Sequence, residues 1–85
     1  MELKETVPLM LSSDYKERFE AEYYQLDIRI KKLRAMLDKW DSGELGFTPK
    51  VSRDLLHGQL IDMISYRNRL RARAVIEGIK LDYKS

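Results

Sequence analysis

The stretch Phe19–Trp40, FEAEYYQLDIRIKKLRAMLDKW, decides the fold. Phe19, Tyr23, Leu26, Ile30, Leu33, Leu37 and Trp40 recur at alternating steps of four and three, which holds all seven on one stripe of a helix. Such a stripe is the seam along which one helix packs on another, so the chain reads as all-α. Upstream, Asp14 is placed to accept from the free backbone N–H groups of the first turn, with Glu17 completing a capping box. The helix is therefore expected over about 14–40, a rod of roughly 40 Å. Ser42-Gly43 stops it, and Gly46 and Pro49 fill out the connection DSGELGFTPKV.

A second helix is expected over 52–77. Ser52 caps it, with Thr48-Pro49 an alternative start one turn earlier, and Gly78 is a natural left-handed stop. Its best apolar stripe is Leu56, Leu60, Met63, Arg67, Leu70 and Ala74, flanked by a second stripe of His57, Ile61, Ile64, Asn68, Arg71 and Val75. Both stripes turn polar at Arg67-Asn68, with Arg71 one turn on. A loop this short makes the helices antiparallel neighbours, a two-helix hairpin occupying 14–81 between a leader, 1–13, and a tail, 82–85. In the leader Pro8 interrupts any helix, so the segment is expected to be extended. Its Val7, Leu9, Met10 and Leu11 need a cover, supplied by the hairpin, by a neighbouring subunit or by a docked partner.

Size and composition narrow the possibilities. An 85-residue chain buries a thin core. It has no cysteine and one histidine, His57, which leaves self-association as the usual reinforcement, and a helical homo-oligomer is expected. Sixteen basic against fourteen acidic residues give a net charge of +2, too little to argue for a nucleic acid polymer. No stretch approaches the ~20 apolar residues of a membrane span, and the start is acidic where a signal peptide is basic, so a cytoplasmic protein is expected.

Catalytic constellations are missing from the sequence: no cysteine nucleophile, no glycine-rich phosphate loop, no second histidine for a metal, no serine beside a plausible base. No enzyme and no cofactor are expected, and His57 reads as a half-buried packing residue. Charge is unevenly distributed. Met1–Asp27 holds seven acids and three bases, whereas Arg29, Lys31, Lys32 and Arg34 follow with no acid among them. A second basic cluster is Arg67, Arg69, Arg71 and Arg73. A loop centred near residue 46 places Arg71 and Arg73 near Glu22 and Glu20, and Asp62 near Lys31, so much of this charge can cancel within the hairpin. At 100° per residue Arg67 and Arg71 share the side near the apolar stripe, while Arg69 and Arg73 point away. A guanidinium at the edge of a seam needs a partner, either Glu22 or an anionic ligand. Tyr15, Phe19, Tyr23, Tyr24 and Tyr66 lie in the same half of the hairpin, and tyrosine with arginine is a set that can stack a base and grip a phosphate.

The strings DYKERFEAEYYQLDIRIKKLRAMLDKWDSGELGFTPK and LLHGQLIDMISYRNRLRARAVIEGIKL resemble a family of small bacteriophage proteins named after a crAss-like phage, over Asp14–Leu81. In layout the chain is similar to the helical hairpin domain of phage anti-CBASS and anti-Thoeris sponge proteins. The resemblance implies an oligomer that binds cyclic nucleotide or cyclic ADP-ribose immune signals in the host cytoplasm without cleaving them. It also implies an aromatic early in the first helix that stacks on a base and a basic residue four turns later that meets phosphate, places held here by Tyr15 and Lys31. The ligand-binding residues expected on this reading are Tyr15, Arg18, Lys31, Tyr66, Arg67 and Arg71. The other reading is a structural module, a bundle that docks a protein and whose arginines only pair with acids.

Overall fold

The computed structural model describes residues 1–82, so of the expected tail only Asp82 falls among the described residues. Every regular element there is helical: a 3-10 turn, Leu3–Thr6, then α1, Val7–Met10, α2, Tyr15–Asp41, and α3, Arg53–Glu77.

Local chemistry sets the ends of the two long helices. Asp14 Oδ1 accepts from the Lys16 N–H at 3.0 Å, and the N–H of Asp14 itself donates to Ser12 Oγ at 3.0 Å. Ser12, rather than the expected Glu17, therefore takes that donor. Ser52 Oγ accepts from the Leu55 N–H at 3.1 Å, as its place before α3 requires. Both helices end in the same way. Gly43 has φ +78° and Gly78 φ +70°, and just beyond them Glu44 donates to the Lys39 carbonyl and Ile79 to the Ala74 carbonyl, each at 2.9 Å. The left-handed turn aims those N–H groups back at carbonyls the helix leaves unpaired.

The core lies between α2 and α3. Phe19, Tyr23, Leu26, Ile30 and Leu37 are buried, and Leu33 and Trp40 are packed partly buried against them. From α3 come Leu60, Leu70 and Ala74, with Leu56 and Met63 at the edge, and Ile79 closes the cluster beyond Gly78. The seam on α2 is thus covered within the single chain. His57 is exposed rather than half-buried.

Polar contacts join the ends of the pair. Arg53 at the start of α3 grips Asp41 at the end of α2 through two hydrogen bonds of 2.7 Å. At the far end Tyr15 Oη donates to Glu77 Oε1 at 2.7 Å. Between them the offset is close to the expected one, but the partners differ. The Tyr66 hydroxyl occupies Glu22, so Arg71 turns its Nε to Tyr23 Oη at 3.1 Å, and Arg73 donates to Tyr15 Oη at 3.1 Å and lies 5.0 Å over the Phe19 ring. Arg73 therefore faces the aromatic end of α2 instead of pointing away. Burial, then the neighbouring Glu17 and Asp14, pushes the Glu20 carboxyl up.

The leader departs from expectation. Pro8 does not break a helix, because it stands in the first turn of α1, where its missing N–H has no intrahelical partner to lose. The leader is held to α2 by polar contacts: Thr6, fully buried, donates to the Leu3 carbonyl at 2.6 Å and accepts from Gln25 Nε2 at 2.9 Å. Val7, Met10 and Leu11 remain exposed.

Candidate functional site

Tyr24, Ile28 and Lys31 follow one another along α2 at steps of four and three, on a face turned away from α3. The leader and the segment after Gly78 wall that face, and between them lies a cleft of about 370 Å³ lined by Met1, Tyr24, Asp27, Ile28, Lys31, Lys32 and Asp82. This volume falls within the range of small-molecule sites. The Asp82 N–H donates to Tyr24 Oη at 3.0 Å and ties the segment after Gly78 to the rim.

Asp27 is the electrostatic hinge of the cleft. Lys31 Nζ stands 2.7 Å from its Oδ2, and Arg67 NH1, reaching across from α3, stands 2.6 Å from its Oδ1. Burial alone would raise the Asp27 carboxyl, but hydrogen bonds from Lys31 and Arg67 outweigh it and hold the group below its ordinary 3.8. One carboxylate thus meets two cations, and with Lys32 and the Asp82 carboxylate also on its lining the cleft has two lysines against two carboxylates, with Arg67 behind it as a third cation. It offers a phenol ring, an apolar floor and ammonium groups, a combination suited to an aromatic anion.

The six residues expected to bind a ligand do not converge. Lys31 lines the cleft. Arg67 supports it from behind, largely buried on Asp27, with its Nε–H buried and without a partner among the described residues. The remaining four are engaged elsewhere: Tyr15 with Glu77 and Arg73, Arg18 with the Ser12 carbonyl at 2.9 Å, Tyr66 with Glu22, and Arg71 with Tyr23, over whose ring its guanidinium lies at 5.8 Å. Tyr15 and Lys31 stand roughly 24 Å apart along α2 at 1.5 Å per residue, too far for one nucleotide to bridge within a chain. Of the lining residues the sequence reading assigned only Lys31 to the site; Met1, Tyr24, Asp27, Ile28, Lys32 and Asp82 it did not. The available signal was the tyrosine pair Tyr23-Tyr24 about one turn before the acid-free basic run Ile28–Arg34. No group of three or more His, Cys, Asp or Glu among the described residues could hold a metal ion, and none of the described helices is long and apolar enough to cross a membrane.

No curated protein and no solved structure matches the chain. A family profile does, and the matched stretch begins one residue before the cap of α2 and ends one residue before the end of α3. The match therefore covers the helix pair that carries Tyr24, Asp27, Lys31 and Arg67, and leaves out most of the leader and the end segment that wall the cleft. On that match, over residues 13–76, the chain belongs to the Sequestin family.

Proposed function

We propose that the protein sequesters a small anionic nucleotide signal, of the cyclic nucleotide or cyclic ADP-ribose class, by stoichiometric binding without cleavage. It would act as a homo-oligomer of antiparallel hairpins of phage type in a host bacterial cytoplasm. The family name points to sequestration, and the observation that carries the ligand class is the cleft at Tyr24, Ile28, Lys31 and Lys32. Tyr24 offers a ring for a base, and Lys31 and Lys32 offer charge for phosphate. Arg67 acts here as a positioning residue. By neutralising Asp27 from the core side, it leaves the Lys31 charge for the ligand.

Calorimetric titration with a panel of cyclic dinucleotides, cyclic trinucleotides and cyclic ADP-ribose isomers tests this reading. Saturable heat is expected with at least one, with the ligand recovered intact by mass spectrometry after heat release. Lys32→Glu should weaken that binding by about tenfold or more, since it replaces an attraction by a repulsion at an exposed position. Absence of heat across the panel, or recovery of a cleaved product, would sink the proposal. The docking-module reading is favoured by the leader's exposed Val7, Met10 and Leu11, and would predict no nucleotide binding at all.

A further inference from the structure

The outer face of α3 carries a second seam. Gly58, Ile61, Ser65, Asn68, Ala72 and Val75 follow one another at alternating steps of three and four, the spacing of a coiled-coil interface. None is charged, in a chain with 35% charged residues. All six are exposed, and among the described residues no element except α2, on the opposite side, packs against α3. Two further apolar residues border the seam. Leu55 is 61% exposed and Ile76 83%, beside Ile61 at 50% and Val75 at 76%. A glycine inside α3 weakens the helix relative to alanine. Among the described residues, its own helix backbone and chain neighbours apart, nothing lies within 4 Å of the Cβ it lacks, so no contact there requires a glycine.

We infer that this face is the contact between two copies of the chain, with α3 packed antiparallel on α3 of the second copy. The pattern is self-complementary in one register. When Ser65 faces Asn68 of the second copy, Gly58 faces Val75 and Ile61 faces Ala72, so every small residue meets a larger one, as close packing demands. The Ser65 hydroxyl and the Asn68 amide are then mutual hydrogen-bond partners, and a single polar layer of that kind selects register. In the same register Asp62 lies across from Arg69 and Leu55 from Ile76. Neither Asp62 nor Arg69 has an ion-pair partner among the described residues of its own chain. Sliding by one heptad in either direction sets Asp62 against its own copy or Arg69 against its own copy. A parallel arrangement sets Gly58 on Gly58 and Ile61 on Ile61, leaving voids beside crowded layers. The inference deepens the homo-oligomer proposed above by naming its surface, and it leaves the α2 cleft of each copy open on the far side.

Sedimentation and light scattering of the full chain, joined to cysteine cross-linking, test it. The wild type should have at least twice the 10.1 kDa chain mass at micromolar concentration. Asp62→Arg should weaken association by about tenfold or more, and adding Arg69→Asp should restore it, with helical circular dichroism unchanged throughout. Because the chain has no cysteine, introduced thiols report orientation. A mixture of Ile61→Cys and Ala72→Cys chains should oxidise to the mixed disulfide, while Ile61→Cys alone stays reduced. A wild-type monomer, a charge-reversed double variant that stays dissociated, or an Ile61→Cys self-disulfide would each overturn the inference. A dimer of this geometry that binds no nucleotide would sink sequestration and leave the surface standing, and nucleotide binding by a monomer would do the reverse.

Discussion

Arg67 on α3 and Asp27 on α2 meet at 2.6 Å between the helices, with side chains only 12% and 13% exposed. The pair stands where a purely apolar stripe would otherwise continue from Met63 to Leu70. Removing one member leaves the other charge in a site that water scarcely reaches. Arg67→Met should therefore cost about 3 kcal/mol, the low end for a broken buried pair, because Lys31 still holds Asp27. Adding Asp27→Leu should recover most of that loss. Denaturant midpoints for the two single variants and the double would show it, and strictly additive losses would mean that the pair is not coupled.

The same carboxylate makes stability depend on acid. Its folded pKa lies below the ordinary 3.8, so its contribution is complete above about pH 4 and disappears as pH falls through the folded value. The wild type should be more stable than Asp27→Asn at pH 7, with the gap closing as pH falls below 4. Thermal melts across that range give the measurement. A gap that stays constant would assign the difference to packing rather than to charge.

Within the α2 seam, position predicts magnitude. Leu37 is buried whereas Leu33 is only partly so. Leu37→Ala should cost about 2 to 5 kcal/mol and Leu33→Ala less, while Lys32→Ala, on the exposed side, should change stability within about 0.5 kcal/mol. Equal midpoints for Leu37→Ala and Lys32→Ala would contradict the assigned core.

Gly78 turns the chain at φ +70° so that Ile79 can enter the core. No described residue beyond its chain neighbours lies within 4 Å of the Cβ it lacks, so the cost of Gly78→Ala is conformational, about 1 to 2 kcal/mol for a left-handed residue bearing a Cβ. Gly46→Ala, in equally open space and without a positive φ, should be nearly silent. Chemical denaturation of both variants separates the two cases.

What the sequence by itself determined was everything that depends on neighbours a few residues apart. The stripe from Phe19 to Trp40, the caps at Asp14 and Ser52 and the stops at Gly43 and Gly78 are short-range devices. Each is complete within about two turns of helix, and each appears where the spacing placed it. Only the tertiary structure decided which side chains meet across the helices, because that depends on how far each helix is rotated about its axis. A change of one residue swings a side chain by about 100°, enough to give Glu22 to Tyr66 rather than Arg71 and to bring Arg73 over Phe19. The leader shows the same division. Its apolar residues suggested a cover through Val7 and Leu11, yet the buried anchor is Thr6 bonded to Gln25, a contact nineteen positions away in the chain. The cleft exists because three segments distant in sequence, at Met1, at Tyr24 to Lys32 and at Asp82, come together around one face of α2, and no local pattern records that meeting.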